Sequence, residues 1–280
     1  MNDLQNIPIP TIHLFPEINR QLIELLQSLQ PEEWNLPTLA KRWTVKDIAA
    51  HMLDINVRTL SFGRDGLPVP PNENIKSYQD LVDYLNELNA DWVKAMKRMS
   101  RQILLQLLEG GNRQHCEYLA TLNPFDIAIF SVAWAGQETS ENWFHIAREY
   151  TEKMIHQLQI REAVGKPGLM TREFFYPFID TLLCGLPHTY RNITAVDGTV
   201  IQISIATEIG GDWFLVRSNE TWTLTKTLQQ IIAAKITLTP ETAWKLFSKG
   251  ISPHEAKQAA EISGNIALAE TALTMISIMG

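Results

Sequence analysis

The stretch REYTEKMIHQLQIREAVG, from Arg148 to Gly165, reads as a helix that Gly165 and Pro167 close. Within it Glu152 and His156 stand four residues apart, a spacing that stacks two side chains on one helical face. Trp143, Ala147, Tyr150, Met154, Ile155 and Leu158 cover one broad side of the helix. His145, Glu149, Glu152, His156 and Gln159 make a polar column on the other. Periodicity alone makes that column a solvated face, with Glu152 and His156 a weak surface pair and His145 and Glu149 exposed beside them. The alternative is a column that points into a bundle, where a Glu and a His on one helix join ligands from other helices around a metal.

Upstream, the chain reads as helical. Pro16 to Gln30 carries Ile18, Leu22, Leu25, Leu26 and Leu29 at helical period. WTVKDIAAHMLDINVRTLSF, Trp43 to Phe62, opens on Thr44 and Asp47, an acidic form of the capping box. Gly63 to Asn74 is loop-like, and Ser77 to Ser100 repeats the helical pattern. A short helical segment follows at Ile103 to Leu108, and one or two helices fill Phe125 to Val164. Four main helices of this length suggest an up-and-down bundle.

His51 lies on the apolar side of its helix, beside Thr44, Ile48, Ile55 and Phe62. A histidine there reads first as a packed core residue. A buried imidazole nevertheless needs partners for its nitrogens, and a metal can be one. Taken together, His51, Glu152 and His156 are a ligand set suited to zinc with an open fourth position, and iron, nickel or manganese would accept them too. His13, His115, His188 and His254 show no comparable spacing and are expected to be surface or packing residues.

The texture changes after Gly165–Gly168. Thr171 to Leu183 is helical, and the following segment alternates like β-structure, with a hairpin signal at Asp197-Gly198 and a turn at Gly210-Gly211. AAKITLTP is a further strand candidate, and Pro240 to Ser248 and Ala267 to Met279 are helical. The expected division is therefore a helical domain over 1–167 and a smaller α+β domain over 168–280.

Bulk properties exclude several classes. The chain has 280 residues, 45% of them apolar, and a formal net charge of -7 with no long basic run, which argues against nucleic acid as a partner. The N-terminus shows no signal pattern and no stretch approaches the ~18 apolar residues of a membrane span, so a soluble cytoplasmic protein is expected. The two cysteines, Cys116 and Cys184, lack CxxC spacing and are expected to be buried small apolar residues.

Trp43 to Met52, WTVKDIAAHM, followed roughly a hundred residues later by the E-x3-H of Glu152 to His156, resembles the metal-binding domain of the mycothiol-dependent maleylpyruvate isomerase family, within the DinB-like superfamily of four-helix bundles. Pro240 to Gly280 resembles the end of that family's second, sterol-carrier-like domain. The resemblance implies metal ligands at His51, Glu152 and His156. It also implies a divalent metal, zinc above all, that activates a low-molecular-weight thiol: mycothiol, bacillithiol or glutathione. The isomerase chemistry it implies is addition of the thiolate to the cis double bond of maleylpyruvate, rotation about the resulting single bond, and elimination to the trans isomer. An S-transferase would stop at the adduct. A dicarboxylate substrate would want a cation from the second domain, where Arg217 and Arg191 are the candidates, with Arg148 and Arg161 flanking the ligand helix. Two other readings stay open. One is a non-catalytic binder of apolar ligands with a structural metal. The other is a metal-dependent hydrolase with Glu149 as its carboxylate.

Overall fold

The computed structural model describes residues 6–69, 72–227 and 231–277. The chain divides into two compact units. Of the described residues, the first holds those up to Ser131 together with Thr139–Leu169, and the second holds Val132–Glu138 and those from Met170 to Ser277.

The first unit is helical: α1 (Phe15–Gln27), α2 (Val45–Thr59), α3 (Tyr78–Met96), α4 (Arg101–Leu119) and α5 (Asn142–Val164). α4 and α5 each pack on both α1 and α2, which closes a four-helix bundle, and α3 lies against α2. The core is the predicted apolar stripe of α1 meeting Ile48, Ala49, Met52 and Leu53 of α2 and Leu104 and Leu108 of α4. The capping box of α2 is formed: Thr44 Oγ1 accepts from Asp47 N, and Thr44 N donates to Asp47 Oδ2 at 3.0 Å. Gly165, in the left-handed region at φ 63°, ends α5 where the sequence placed its end.

Two helices differ from expectation. The fourth bundle member is α4, which runs the whole way from Arg101 to Leu119 and not only over Ile103 to Leu108. Gly110-Gly111 looks like a break in sequence. In the structure Gly111 lets α4 approach α2, where a Cβ would stand 3.2 Å from Asn56 Nδ2. In the other case, only Asn142–Val164 of the stretch Phe125 to Val164 is α-helical, preceded by a loop with one 3-10 turn at Ala133–Ala135.

The second unit is a five-stranded mixed sheet with helices. Its strands are β1 (Val200–Ile205), β2 (Gly211–Ser218), β3 (Thr221–Thr225), β4 (Ile232–Leu238) and β5 (Glu261–Gly264), in the order β3-β2-β1-β4-β5. β1 and β4 run parallel and every other pair is antiparallel. α6 (Arg172–Leu183) covers the Ile203–Trp213 face, where Trp213 Nε1 donates to Asp180 Oδ1 at 2.8 Å. Short helices α7 (Leu186–Thr189), α8 (Pro240–Phe247), α9 (Pro253–Gln258) and α10 (Ile266–Thr271) complete it. The Asp197-Gly198 turn leads into β1 and joins no two strands. Helix near the C-terminus ends by Thr274, and Ile278 and Met279 lie outside the described residues. Cys116 and Cys184 are free and half-buried, not fully buried as expected.

We propose the 167/168 junction as the linker between the two domains; limited proteolysis that cut elsewhere between them and spared it would move that boundary. The segment Val132–Glu138 completes the second unit. Val132 and Trp134 are buried there, and Trp134 lies so close to Gly185 that a Cβ on the glycine would stand 3.3 Å from the indole. Gly136 has φ 77° and faces His188, whose Nδ1 would lie 2.2 Å from a Cβ. Trp134→Ala is therefore expected to destabilise the second unit by roughly 3–5 kcal/mol. Denaturant unfolding followed by circular dichroism measures this, and a loss under about 1 kcal/mol would mean that Trp134 does not anchor the segment.

Candidate metal centre

α5 carries most of the site and is buried on nearly every side. The polar column is not a solvated face. His145 and Glu149 are buried, as are His156 and Gln159, while Glu152 is half-buried. Polar side chains removed from water must find partners inside the protein, and the column is arranged accordingly.

His51 of α2 meets the column. Its ring lies 4.7 Å from that of His156, edge to face at 86°, and 4.7 Å from the ring of Trp43 on another side. One ligand atom from each of His51, Glu152 and His156 lies within 4.8 Å of the others. His156 Nε2 stands 3.3 Å from Glu152 Oε2. That contact lacks hydrogen-bond alignment, so the buried Nε2 has no hydrogen-bond partner, and neither does the buried His51 Nδ1.

These features fit a divalent ion. With bonds of ~2.0–2.1 Å, two ligands on a tetrahedral zinc stand about 3.3–3.4 Å apart, the spacing His156 and Glu152 show. A metal needs neutral imidazoles. Burial, reinforced by the charges of His156, Arg58 and Lys153, holds the His51 imidazole well below its ordinary range, so it is neutral at pH 7.

Around the ligands is a set of buried charges. Arg58 Nε lies 3.0 Å from Asp54 Oδ2, one turn beyond His51, and Arg58 Nη2 donates to Asn89 Oδ1 of α3. Lys153 is buried and donates to Asn56 Oδ1 at 2.5 Å and Asn112 Oδ1 at 2.8 Å. Burial lowers its ammonium to about 8. Glu149 faces away from the role of a free base. One oxygen pairs with Arg148 and the other accepts from His115 Nε2 at 3.2 Å. Burial would raise its carboxyl, but Arg148 and His115 outweigh that and hold it well below the carboxylate range. His115 is thus a buried partner of α5, neither a surface residue nor mere packing. Sequence reasoning passed over Lys153, Asn56 and Asn112. A lysine between Glu152 and Met154 was the one available signal, since a cation there has no outer face to occupy once the column turns inward.

Arg217 lies on β2 in the second unit. It is buried rather than exposed, with its guanidinium carbon 5.6 Å from the centroid of the Trp222 ring and Nε and Nη1 without hydrogen-bond partners. The structure therefore brings His51, Glu152 and His156 together, in the first unit, with Arg217 in the second.

The first unit is thus a helical bundle with a His/Glu/His cluster that could hold a metal ion, on the same chain as an α+β unit. The family model for the mycothiol maleylpyruvate isomerase N-terminal domain matches residues 15–161, just over half of the chain, and the chain belongs to that family. The crystal structure of the mycothiol-dependent maleylpyruvate isomerase aligns with a TM-score of 0.57 at 11% identity, over 94% of this chain and 96% of that one. A histidine-to-alanine variant of that enzyme aligns with the same score and coverage at 10% identity. No curated protein matches this chain. No helix among the described residues is long and apolar enough to cross a membrane.

The buried histidines make the chain acid-sensitive. Burial, aided by Arg148, lowers His145 from 6.5 to about 4, and burial lowers His115 against the opposing pull of Glu149. Between the folded and unfolded values the unfolded chain binds the extra proton, so stability is present above pH 6.5 and lost as pH falls toward 4. Glu149, depressed in the folded state, adds a further loss below its ordinary value of 4.5. Unfolding free energy is expected to fall between pH 6.5 and 4.5, and His145→Leu to remove on the order of 2–3 kcal/mol of that dependence. An unchanged pH slope in the variant would show that the sensitivity arises elsewhere.

Proposed function

We propose that this chain is a metal-dependent enzyme that uses a low-molecular-weight thiol to isomerise a small anionic electrophile, in the manner of maleylpyruvate isomerase. The observation that carries the reading is the buried His51/Glu152/His156 cluster, with His156 Nε2 left unpartnered 3.3 Å from Glu152 Oε2. Membership of the family supports the thiol and the isomerase chemistry.

His51 and His156 would hold the ion as neutral imidazoles and Glu152 as a carboxylate, leaving a fourth position open. When bound, the ion supplies the Lewis acidity that keeps a thiol, ordinarily near pKa ~8.5, as thiolate at neutral pH. The remainder of the work falls to the protein. The thiolate sulfur adds to one carbon of a cis double bond as the π pair moves onto the conjugated carbonyl, the resulting C–C single bond rotates, and return of that pair expels the thiolate and leaves the trans alkene. Lys153 and Arg58 place positive charge beside the ligands, as their effect on His51 records, and that field favours anions. Arg217 is proposed to contact a substrate carboxylate, because a buried guanidinium with two unpartnered N–H groups is built to receive one. The hydrolase reading is disfavoured by Glu149, whose two oxygens are already engaged.

The native protein is expected to carry about one divalent ion per chain by elemental analysis, with zinc the first choice. His51→Ala and His156→Ala should each abolish that stoichiometry, and full occupancy in either would mean that the ligands are misassigned. In the cobalt-substituted protein a thiol that enters the site should perturb the visible spectrum. No change across mycothiol, bacillithiol and glutathione would end the thiol reading. Arg217→Ala should raise KM for maleylpyruvate more than it lowers kcat.

A further inference from the structure

Each ligand imidazole has a second nitrogen, and the partner of that nitrogen decides which one carries the proton and which can bind an ion. His156 Nδ1 lies 2.9 Å from Gln159 Oε1. An amide oxygen can only accept, so Nδ1 carries the hydrogen and Nε2 of the neutral ring is a bare lone pair. Nε2 is the nitrogen that stands beside Glu152 and has no other partner.

We propose that Gln159 is a positioning residue that fixes the tautomer and orientation of His156, so that Nε2 faces the cation. The inference rests on the His51/Glu152/His156 reading and goes beyond it. Gln159 is one turn further along α5, and this spacing holds the two side chains in register on one face. It is 4% exposed, so water does not compete for Nδ1. The amide can work in one direction only. Turned over, it would donate to Nδ1 and force the proton onto Nε2, and a protonated Nε2 cannot ligate. His51 lacks such a hook: its Nδ1 is buried without a partner, and its ring is set by packing between Trp43 and His156. The two imidazoles are thus held by different means, one by a hydrogen bond and the other by its ring neighbours.

The chemistry separates three side chains at position 159. Glutamine in the observed orientation accepts, glutamate can only accept, and methionine does neither. Zinc affinity of the full-length protein is measured by competition with a chromophoric chelator. The His156 tautomer of the metal-free protein is read from imidazole nitrogen shifts by NMR. Wild-type protein is expected to show the Nδ1–H tautomer. Gln159→Met should bind zinc about 10–100-fold more weakly and lose the tautomer preference, and Gln159→Glu should restore binding to within about threefold of wild type or better. A wild-type Nε2–H tautomer overturns the proposal. So does zinc binding by Gln159→Met at wild-type strength, or an equal loss in both variants, which would mark Gln159 as a packing residue only. If wild-type protein binds no ion, the metal-site reading fails on that result, while the tautomer measurement still decides what Gln159 does to His156.

Discussion

A helix buried on all sides must satisfy its own polar side chains, and α5 is such a helix. From Asn142 to Ile160 few of its residues reach solvent, and those buried include His145, Glu149, Lys153, His156 and Gln159. Water is unavailable to them, so the neighbouring helices supply the partners. His115 of α4 reaches Glu149, and Asn56 of α2 and Asn112 of α4 reach Lys153. α5 supplies the others itself, through Arg148 to Glu149 and Gln159 to His156. The requirement orients α2 and α4 against α5, and it explains why Gly111 is needed where α4 comes close to Asn56. The matching is incomplete: His156 Nε2 and His51 Nδ1 lack hydrogen-bond partners, as do His145 Nε2, His115 Nδ1 and Asn112 Nδ2 of the same network.

The sequence conveyed α2 and α5 well because their signals are local. Thr44 and Asp47 form the capping box, and Gly165 adopts the left-handed conformation that ends α5. Periodicity failed on the orientation of the column. It sorts residues into a wet side and a dry side, and a helix at the centre of a bundle has no wet side. The column became interpretable only when His51, on another helix, was considered with it. α4 was cut short for a related reason: Gly110-Gly111 carries a poor helical propensity that tertiary packing overrides.

In the second unit Arg217, the candidate substrate cation, is buried. Its alternation already placed it within, since Trp213, Leu215 and Arg217 fall on one face of β2 and Trp213 and Leu215 are fully buried. The turn between β2 and β3 escaped notice. Asn219 and Glu220 both have positive φ, at 49° and 61°, the conformation of a tight two-residue hairpin. Asparagine suits that turn and glutamate does not, so the pair carries half of the usual signal. The placement of Val132–Glu138 with the second unit has no local signature, because it depends on Gly185 and His188 some fifty residues away.

The buried charges bear on what the bundle is for. Asp54 pairs with Arg58 and Glu149 with Arg148, while Lys153 is held by Asn56 and Asn112 and Glu152 stands beside His156, three carboxylates and three cations in all. Such a set is a poor way to stabilise a core: apolar side chains of the same volume do as well or better, and the loss of one partner strands the other. A sequence answering only to fold stability would have little reason to keep it at the centre of the bundle. It makes sense around a ligand. The carboxylates and cations balance in number, and a divalent ion would add two positive charges in a region of low dielectric, where charge is not well screened. A thiolate would offset one of those charges, and an anionic electrophile would bring further negative charge. The electrostatics of the proposed site thus favour anionic substrates.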